Sequence, residues 1–255
     1  MADKPDPYTL GFSTADWDNL FAWLRSNPRV LLNDPGIRTA IAQRRAVLFQ
    51  HEAEFTGDRS NMIDCTISYN AAHQRERFLE SHSARLIWPL MALDPVYDRS
   101  AELKVLSVGP RTAGEIFKLV AAGFSAENIT SIDVVSNDPL IQVMDAHAMT
   151  FADASFDIVI LGWVTPYSRR AAVMLKECCR VLRPGGLLAV GLTREPPDSD
   201  EHKRLIGQGS SVYLSTEEIR RDLSAMDCDG NIEFSQNPLD QTRKGAILLI
   251  VRLAK

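Results

Sequence analysis

Three groups of residues in the middle of the chain have types and spacings suited to a nucleotide-like ligand. The turn Gly109 to Gly114, GPRTAG, follows the apolar run LKVLSV and opens the helix pattern GEIFKLVAAG. A buried strand feeding a helix N-terminus through such a turn leaves backbone N–H groups free to face a ligand. Asp133 follows about 20 residues later, at the end of ITSIDVV, where an acid can accept hydrogen bonds from both ribose hydroxyls. Asp145, in MDAHAM, closes the short run IQVMDA, and its carboxylate suits an exocyclic adenine amine. Arg111 stands where a dinucleotide site needs a glycine so that the backbone can approach a pyrophosphate. The turn therefore favours a nucleoside ligand without phosphate over NAD.

These residues need a parallel sheet to hold them. Strand patterns at VLSV, ITSIDVV, IQVMDA, FDIVILGW and LLAVGL alternate with helix patterns at AGEIFKLVAAG and RRAAVMLKECCRVL, the latter stopped at Pro184-Gly185-Gly186. Alternating strands and helices give a doubly wound α/β sheet, and FDIVILGW is apolar almost throughout, as a strand covered on both faces should be. Ser215 and Glu218 form a capping-box pattern for the helix STEEIRRDLSAM. NIEFSQNP and GAILLIVRLAK then read as an antiparallel pair closing the sheet. Residues 193 to 214 read as a long polar loop, a lid or substrate loop.

The first hundred residues have a different pattern. Residues 1 to 12 read as a loose arm. Ser13 and Asp16 cap a helix whose apolar Trp17, Leu20, Phe21 and Leu24 share one face. A second helix starts at Asp34-Pro35 and carries Ile37, Ile41, Val47 and Leu48. A third covers Ser68 to about Trp88 and is broken or bent at Pro89. No strand pattern precedes residue 103. The expected division is thus a helical segment over residues 1–100 and a sheet domain over residues 101–255.

Composition narrows the class. The 255 residues are 45% hydrophobic and 24% charged, as in ordinary globular proteins, and the net charge of −5 disfavours a nucleic-acid backbone as partner. The four cysteines show no C-x-x-C spacing and read as reduced thiols of a cytoplasmic protein. The N-terminal residues lack the pattern of a secretory signal, and no run of roughly 18 apolar residues suggests a membrane span. No metal-ligand cluster is visible, and assembly into a homodimer is left open.

The order VLSVGPRTAGE, ITSIDVV, VMDAHAMTFADASFDIVILGWV and RVLRPGGLLAVG resembles the class I S-adenosylmethionine-dependent methyltransferases, over about residues 103 to 192. The resemblance implies a Rossmann-type sheet of seven strands with an antiparallel C-terminal hairpin and, here, an N-terminal helical extension. It implies S-adenosyl-L-methionine as cofactor and methyl transfer to a small-molecule acceptor, in specialised metabolism. By the same resemblance, Gly109, Pro110, Arg111, Thr112 and Gly114 border the methionine part, and Asp133 holds the ribose. Asp145 and Ala146 hold the adenine, and Leu161, Gly162 and Trp163 wall the sulfonium. The family usually has an acid at the position of Ser107 and a second glycine at Arg111, and both are absent here. Charge complementarity to a zwitterionic tail then assigns Arg111 to the methionine carboxylate and gives Glu115 part of the missing acid's role. The stretch between Asp133 and Asp145 is short for the family and lacks its usual helix.

Methyl transfer needs chiefly an acceptor placed in line with the methyl group, and a base only where the acceptor must lose a proton. His73 and Tyr167 are the candidate bases, and His147 reads as a structural residue beside the adenine loop. Two other readings compete: a methyltransferase fold kept as an inactive binding or scaffold protein, and an NAD(P)-dependent Rossmann oxidoreductase. The expected result is a thermal shift with S-adenosylhomocysteine and none with NAD(P), since a ligand stabilises only the protein that binds it.

Overall fold

The computed structural model describes residues 12–34, 36, 37, 40, 41, 53–73, 84–136 and 138–254. Helix α1 (Thr14–Ser26) opens with the expected capping box: Ser13 Oγ accepts from Asp16 N at 3.3 Å, and Asp16 Oδ2 accepts from Ser13 N at 2.8 Å. The short α2 (Val30–Asn33) follows, and Asp34 Oδ1 accepts from Ile37 N at 3.1 Å, as a cap at Asp34 requires. Val47 and Leu48, and residues 1–11 of the expected arm, lie outside the described residues.

A strand was not expected before residue 103, yet β1 (Ala53–Glu54) is present. The third expected helix is seen as α3 (Thr66–His73) and α4 (Ala84–Leu90), with residues 74–83 outside the described residues. The helix takes in Pro89, expected to break or bend it, and ends one residue later at Leu90, where Met91 N still reaches Ile87 O at 3.0 Å. The one-turn α5 (Val96–Arg99) leads to the sheet.

The alternation then runs β2 (Val105–Val108), α6 (Gly114–Ala121), β3 (Ile129–Asp133), β4 (Val135–Ser136), β5 (Gln142–Val143), β6 (Phe156–Gly162), α7 (Ala171–Val181) and β7 (Leu182–Arg194). It ends with α8 (Asp200–Gly207), α9 (Thr216–Ala225), β8 (Gly230–Gln236) and β9 (Gly245–Leu253). Seven strands form one sheet in the order β5-β3-β2-β6-β7-β9-β8, and β1 pairs antiparallel with β4 outside it. β5, β3, β2, β6 and β7 are parallel, and β9 runs antiparallel to both β7 and β8. This is the expected doubly wound seven-stranded sheet with its antiparallel hairpin. The chain winds outward from β2 to β5, then returns to β6 on the other side of β2. That reversal opens a crevice at the carboxyl ends of β2 and β6, where open α/β sheets bind ligands.

Alternate strand residues fill two cores. Leu106, Val159, Leu161, Leu188 and Val190 join Met174, Leu175 and Cys178 of α7 on one face. Val105, Ile158, Ile160, Ala189 and Ile250 join Leu86, Ile87 and Leu90 of α4 on the other. Trp17 and Leu24 of α1 bury against Ala121 of α6. Among the described residues no helix is long and apolar enough to cross a membrane.

Three local expectations fail. β7 begins at Leu182 and takes in Pro184-Gly185-Gly186, with a register irregularity opposite Phe156 and Ile158 and Gly185 at φ 75°. The polar stretch 193 to 214 contains α8, capped by Ser199 Oγ, which accepts from His202 N at 3.1 Å. Ser215 makes no side-chain cap. Asn237 Oδ1 instead accepts from Thr216 N at 2.9 Å, and Glu218 Oε2 accepts from Leu214 N at 2.6 Å.

The loop after β5 is clamped onto α7. Arg180 pairs with Glu177 at 2.8 Å and donates to Met149 O at 2.9 Å and Phe151 O at 2.8 Å, while Glu177 Oε2 accepts from Met149 N at 3.0 Å. The hydrogen bonds from Arg180, followed by that from Met149, outweigh burial and hold the Glu177 carboxyl below its ordinary value of 4.5. A carboxyl lowered by folding stabilises the protein above its unfolded value and loses that contribution as pH falls through the folded one. Glu177→Gln should therefore cost about 1 kcal/mol near neutral pH, and its difference from wild type should shrink in denaturant titrations below pH 4.5.

Candidate functional site

The carboxyl ends of β2 and β6 each release a residue with positive φ. After β2, Gly109 adopts φ 68° and its N–H donates to Ile132 O at 2.8 Å. A Cβ there would run into the Val164 side chain, so the turn needs glycine both for its conformation and for space. Two residues on, Arg111 has φ 62°, and Trp163 after β6 has φ 59°. Such non-glycine conformations cost about 1–3 kcal/mol each and persist only where surrounding bonds hold them.

The bond at Arg111 comes from Asp133. Asp133 Oδ2 accepts from Arg111 N at 2.8 Å, and Oδ1 accepts from Val134 N at 2.7 Å and from Asn70 Nδ2 at 3.4 Å. The carboxylate is buried, and burial pushes its pKa up against the pull of the Arg111, Val135 and Val134 amides and the Arg111 guanidinium. The Arg111 guanidinium lies 5.4 Å over the Tyr69 ring, and its Nε is buried without a hydrogen-bond partner. Trp163 is held by its N–H to Gly191 O at 2.6 Å and by Nε1 to Thr193 Oγ1 at 2.8 Å.

The position of the absent acid, Ser107, has a carboxylate beside it. Glu115, in the first turn of α6, is 3% exposed and accepts from Ser107 Oγ at 2.5 Å. At the other end of the crevice, Asp145 Oδ1 accepts from His147 N at 3.0 Å and meets His147 Nδ1 at 2.6 Å. His147 Nε2 lies 2.6 Å from Ser168 Oγ.

These groups border one cavity of about 850 Å³, its open mouth included, within the size range of small-ligand sites. Gly109, Pro110, Arg111, Thr112 and Glu115 line it from the β2 turn, with Asp133, Asp145 and Ala146 beyond, and Gly162, Trp163 and Tyr167 close it. Two expected residues stand behind the wall. Gly114 is buried in the start of α6, and Leu161 is fully buried in the core with Met174 and Leu175 of α7, so neither borders the cavity. Met62, Thr66 and Asn70 come over the cavity from the N-terminal segment, and Val164 and Ser168 line it from after β6. Nothing local in the sequence marks Asn70, which meets Asp133 only through the fold.

A second cavity shares Arg111, Trp163 and Tyr167 with the first. Tyr69 and Cys65 line it from one side and Thr193, Glu195 and Leu205 from the other, so the expected substrate loop does border a chamber. Apart from Arg111, its charged residues form pairs: Lys244 with Glu195 at 2.7 Å and Arg204 with Glu201 at 2.6 Å. The Tyr69 and Tyr167 rings lie 5.6 Å apart, and burial, then Tyr69, push the Tyr167 phenol well above its usual range. Tyr167 faces both cavities. His73 is the last residue of α3. Among the described residues no group of three or more His, Cys, Asp and Glu side chains is placed to hold a metal ion.

The crevice lies at the switch point of the seven-stranded sheet, and residues 108–190 match the methyltransferase domain family. S-adenosylmethionine is the cofactor that this match indicates. The fold is similar to that of a chain in the complex between the Haloferax volcanii Trm112 methyltransferase activator and a methyltransferase. The TM-score is 0.55 at 16% identity, covering 76% of this chain and 98% of that one. It is also similar to the N-methyltransferase NodS of Bradyrhizobium japonicum in complex with S-adenosyl-L-homocysteine, with a TM-score of 0.53 at 15% identity over 75% of this chain and 100% of that one. Among curated proteins, 47 residues are 45% identical to the malonyl-[acyl-carrier protein] O-methyltransferase of Methylococcus capsulatus. The match spans 18% of this chain and 17% of the relative.

Gly109→Ala should destabilise the protein by about 2 kcal/mol, from the positive φ and the collision with Val164 together. Denaturant unfolding reads the loss, and adding Val164→Ala should recover part of it.

Proposed function

We propose that the protein transfers the methyl group of S-adenosylmethionine to a small-molecule acceptor, in specialised metabolism. Two cavities meeting at a wall of Arg111, Trp163 and Tyr167 carry this reading: one has nucleoside-binding groups, the other opens among α3, α8 and the end of β7. The cofactor supplies an electrophilic methyl group, and the chain's residues bind, orient and exclude water. Asp133 Oδ2 has one amide donor and keeps acceptor capacity for a ribose hydroxyl. Asp145 accepts from the adenine amine, with Ala146 beside it. The unpartnered Arg111 Nε fits an anionic group, here the methionine carboxylate, and Glu115 receives the ammonium. Residues 1–100 serve as cover over the domain of residues 101–255.

The second cavity would hold the acceptor. A Tyr167 hydroxyl kept neutral favours acceptors whose attacking atom is already ionised or carries a free lone pair, such as a carboxylate or an unprotonated amine. Positioning then supplies most of the acceleration. The short likeness to a malonyl-[acyl-carrier protein] O-methyltransferase is in keeping with an oxygen as the attacking atom.

Calorimetry with S-adenosylhomocysteine tests the reading. Wild type should bind, and Asp133→Ala should weaken binding by about 1–3 kcal/mol through lost charge-assisted bonds. Arg111→Ala should weaken S-adenosylhomocysteine but leave adenosine, which has no carboxylate, unchanged. Absence of wild-type binding at millimolar ligand would favour the inactive scaffold instead.

A further inference from the structure

Asp145, His147 and Ser168 form a buried relay at the edge of the first cavity, all three less than a tenth exposed. An ionised carboxylate only accepts, so His147 Nδ1 donates to Asp145 Oδ1. His147 Nε2 then accepts from the Ser168 hydroxyl, whose oxygen in turn accepts from Arg170 N at 2.9 Å. The order of acid, imidazole and hydroxyl is that of a serine nucleophile, but the amides around this serine are already committed. Ser168 N donates to Thr165 O, Arg169 N to Asn61 O and Arg170 N to Ser168 Oγ, leaving none of the three to stabilise an oxyanion.

The same short segment is where the cover docks. Met62 bridges Ser168, Ile63 N donates to Tyr167 O at 3.2 Å, and Thr66 Oγ1 donates to Tyr167 O at 3.3 Å. On its other side Ser211 N donates to Ser168 O at 2.7 Å. His147 is thus the only side chain of this relay that touches both the adenine-facing carboxylate and the segment holding the cover.

We propose that His147 is a positioning residue that sets Asp145 toward the adenine amine and, through Ser168, couples adenine recognition to closure of residues 61–66 over the cofactor. The proposal rests on the reading of the first cavity as the S-adenosylmethionine site. With Nδ1 bound to one carboxylate oxygen, the other oxygen is fixed toward the ligand. Cys65, within that segment, and Tyr69, one turn beyond it in α3, line the second cavity.

The test compares calorimetric binding of S-adenosylhomocysteine and S-inosylhomocysteine, which carries an oxo group in place of the amine, to the full chain. Wild type should prefer the amine about tenfold. His147→Ala should lose about that factor on S-adenosylhomocysteine alone, so that the preference disappears, whereas a merely structural defect would weaken both ligands equally. His147→Asn, whose amide can take the place of Nδ1, should restore the preference. Should His147→Ala not fold, His147→Gln, which fills the space but gives up Asp145, carries the same expectation. Hydrogen exchange should show residues 61–66 protected by S-adenosylhomocysteine in wild type and less so in Ser168→Ala. A wild type that binds neither ligand overturns the cofactor reading and this inference with it. A wild type that binds while His147→Ala keeps the preference overturns this inference alone. Covalent labelling of Ser168 by a fluorophosphonate would also overturn it, by showing a nucleophile.

Discussion

The crevice depends on one buried carboxylate. Asp133 gathers the amides of Arg111 and Val134 and the side-chain amide of Asn70, and so joins the β2 turn, the end of β3 and the helix lying over them. Burying an anion is costly unless donors surround it, and here the donors come from the backbone of the turn itself. The cost of burying the charge and the strain of Arg111 in a left-handed conformation are met by the same hydrogen bond. Removing the carboxylate would leave the turn without its support and the N-terminal segment without one of its anchors.

The sheet could be read from the sequence because parallel strands covered on both faces are nearly continuous apolar runs, and because Gly109, Asp133 and Asp145 lie at or just beyond strand ends. What escaped reading depends on contacts between distant parts of the chain. Asn70 reaches Asp133 from 63 residues away, and Asn237 caps the Thr216 amide at a helix start where Ser215 was expected to serve as the cap. Leu161 shares a face with Val108 and Ile132, which do line the cavity, but is itself covered by its packing in the core with α7. The helix α8 was hidden in a stretch whose prolines and acids suggested a loop, although Ser199 before Asp200 and Glu201 is a cap signal that could have revealed it.

Beside Ser107, where the family resemblance leads one to expect an acid, a carboxylate stands that comes from another position. Glu115 lies eight residues later in the chain, yet the strand-to-helix turn folds it back until its carboxylate receives the Ser107 hydroxyl. Position in a motif and position in space are separate, and the cavity responds to the second. The arginine that replaces a glycine likewise adds a cation where the backbone turn alone would present only amides.

Residues 61–63 meet the segment after β6 through main-chain groups. Ile63 N to Tyr167 O, Arg169 N to Asn61 O and, on the opposite side, Ser211 N to Ser168 O hold these segments in register without depending on what their side chains are. A stretch seated in this way can exchange a residue that faces the second cavity while its seat stays the same. Related chains could therefore diverge in what that cavity admits by point changes at a position such as Cys65, with the backbone beneath under no pressure to follow.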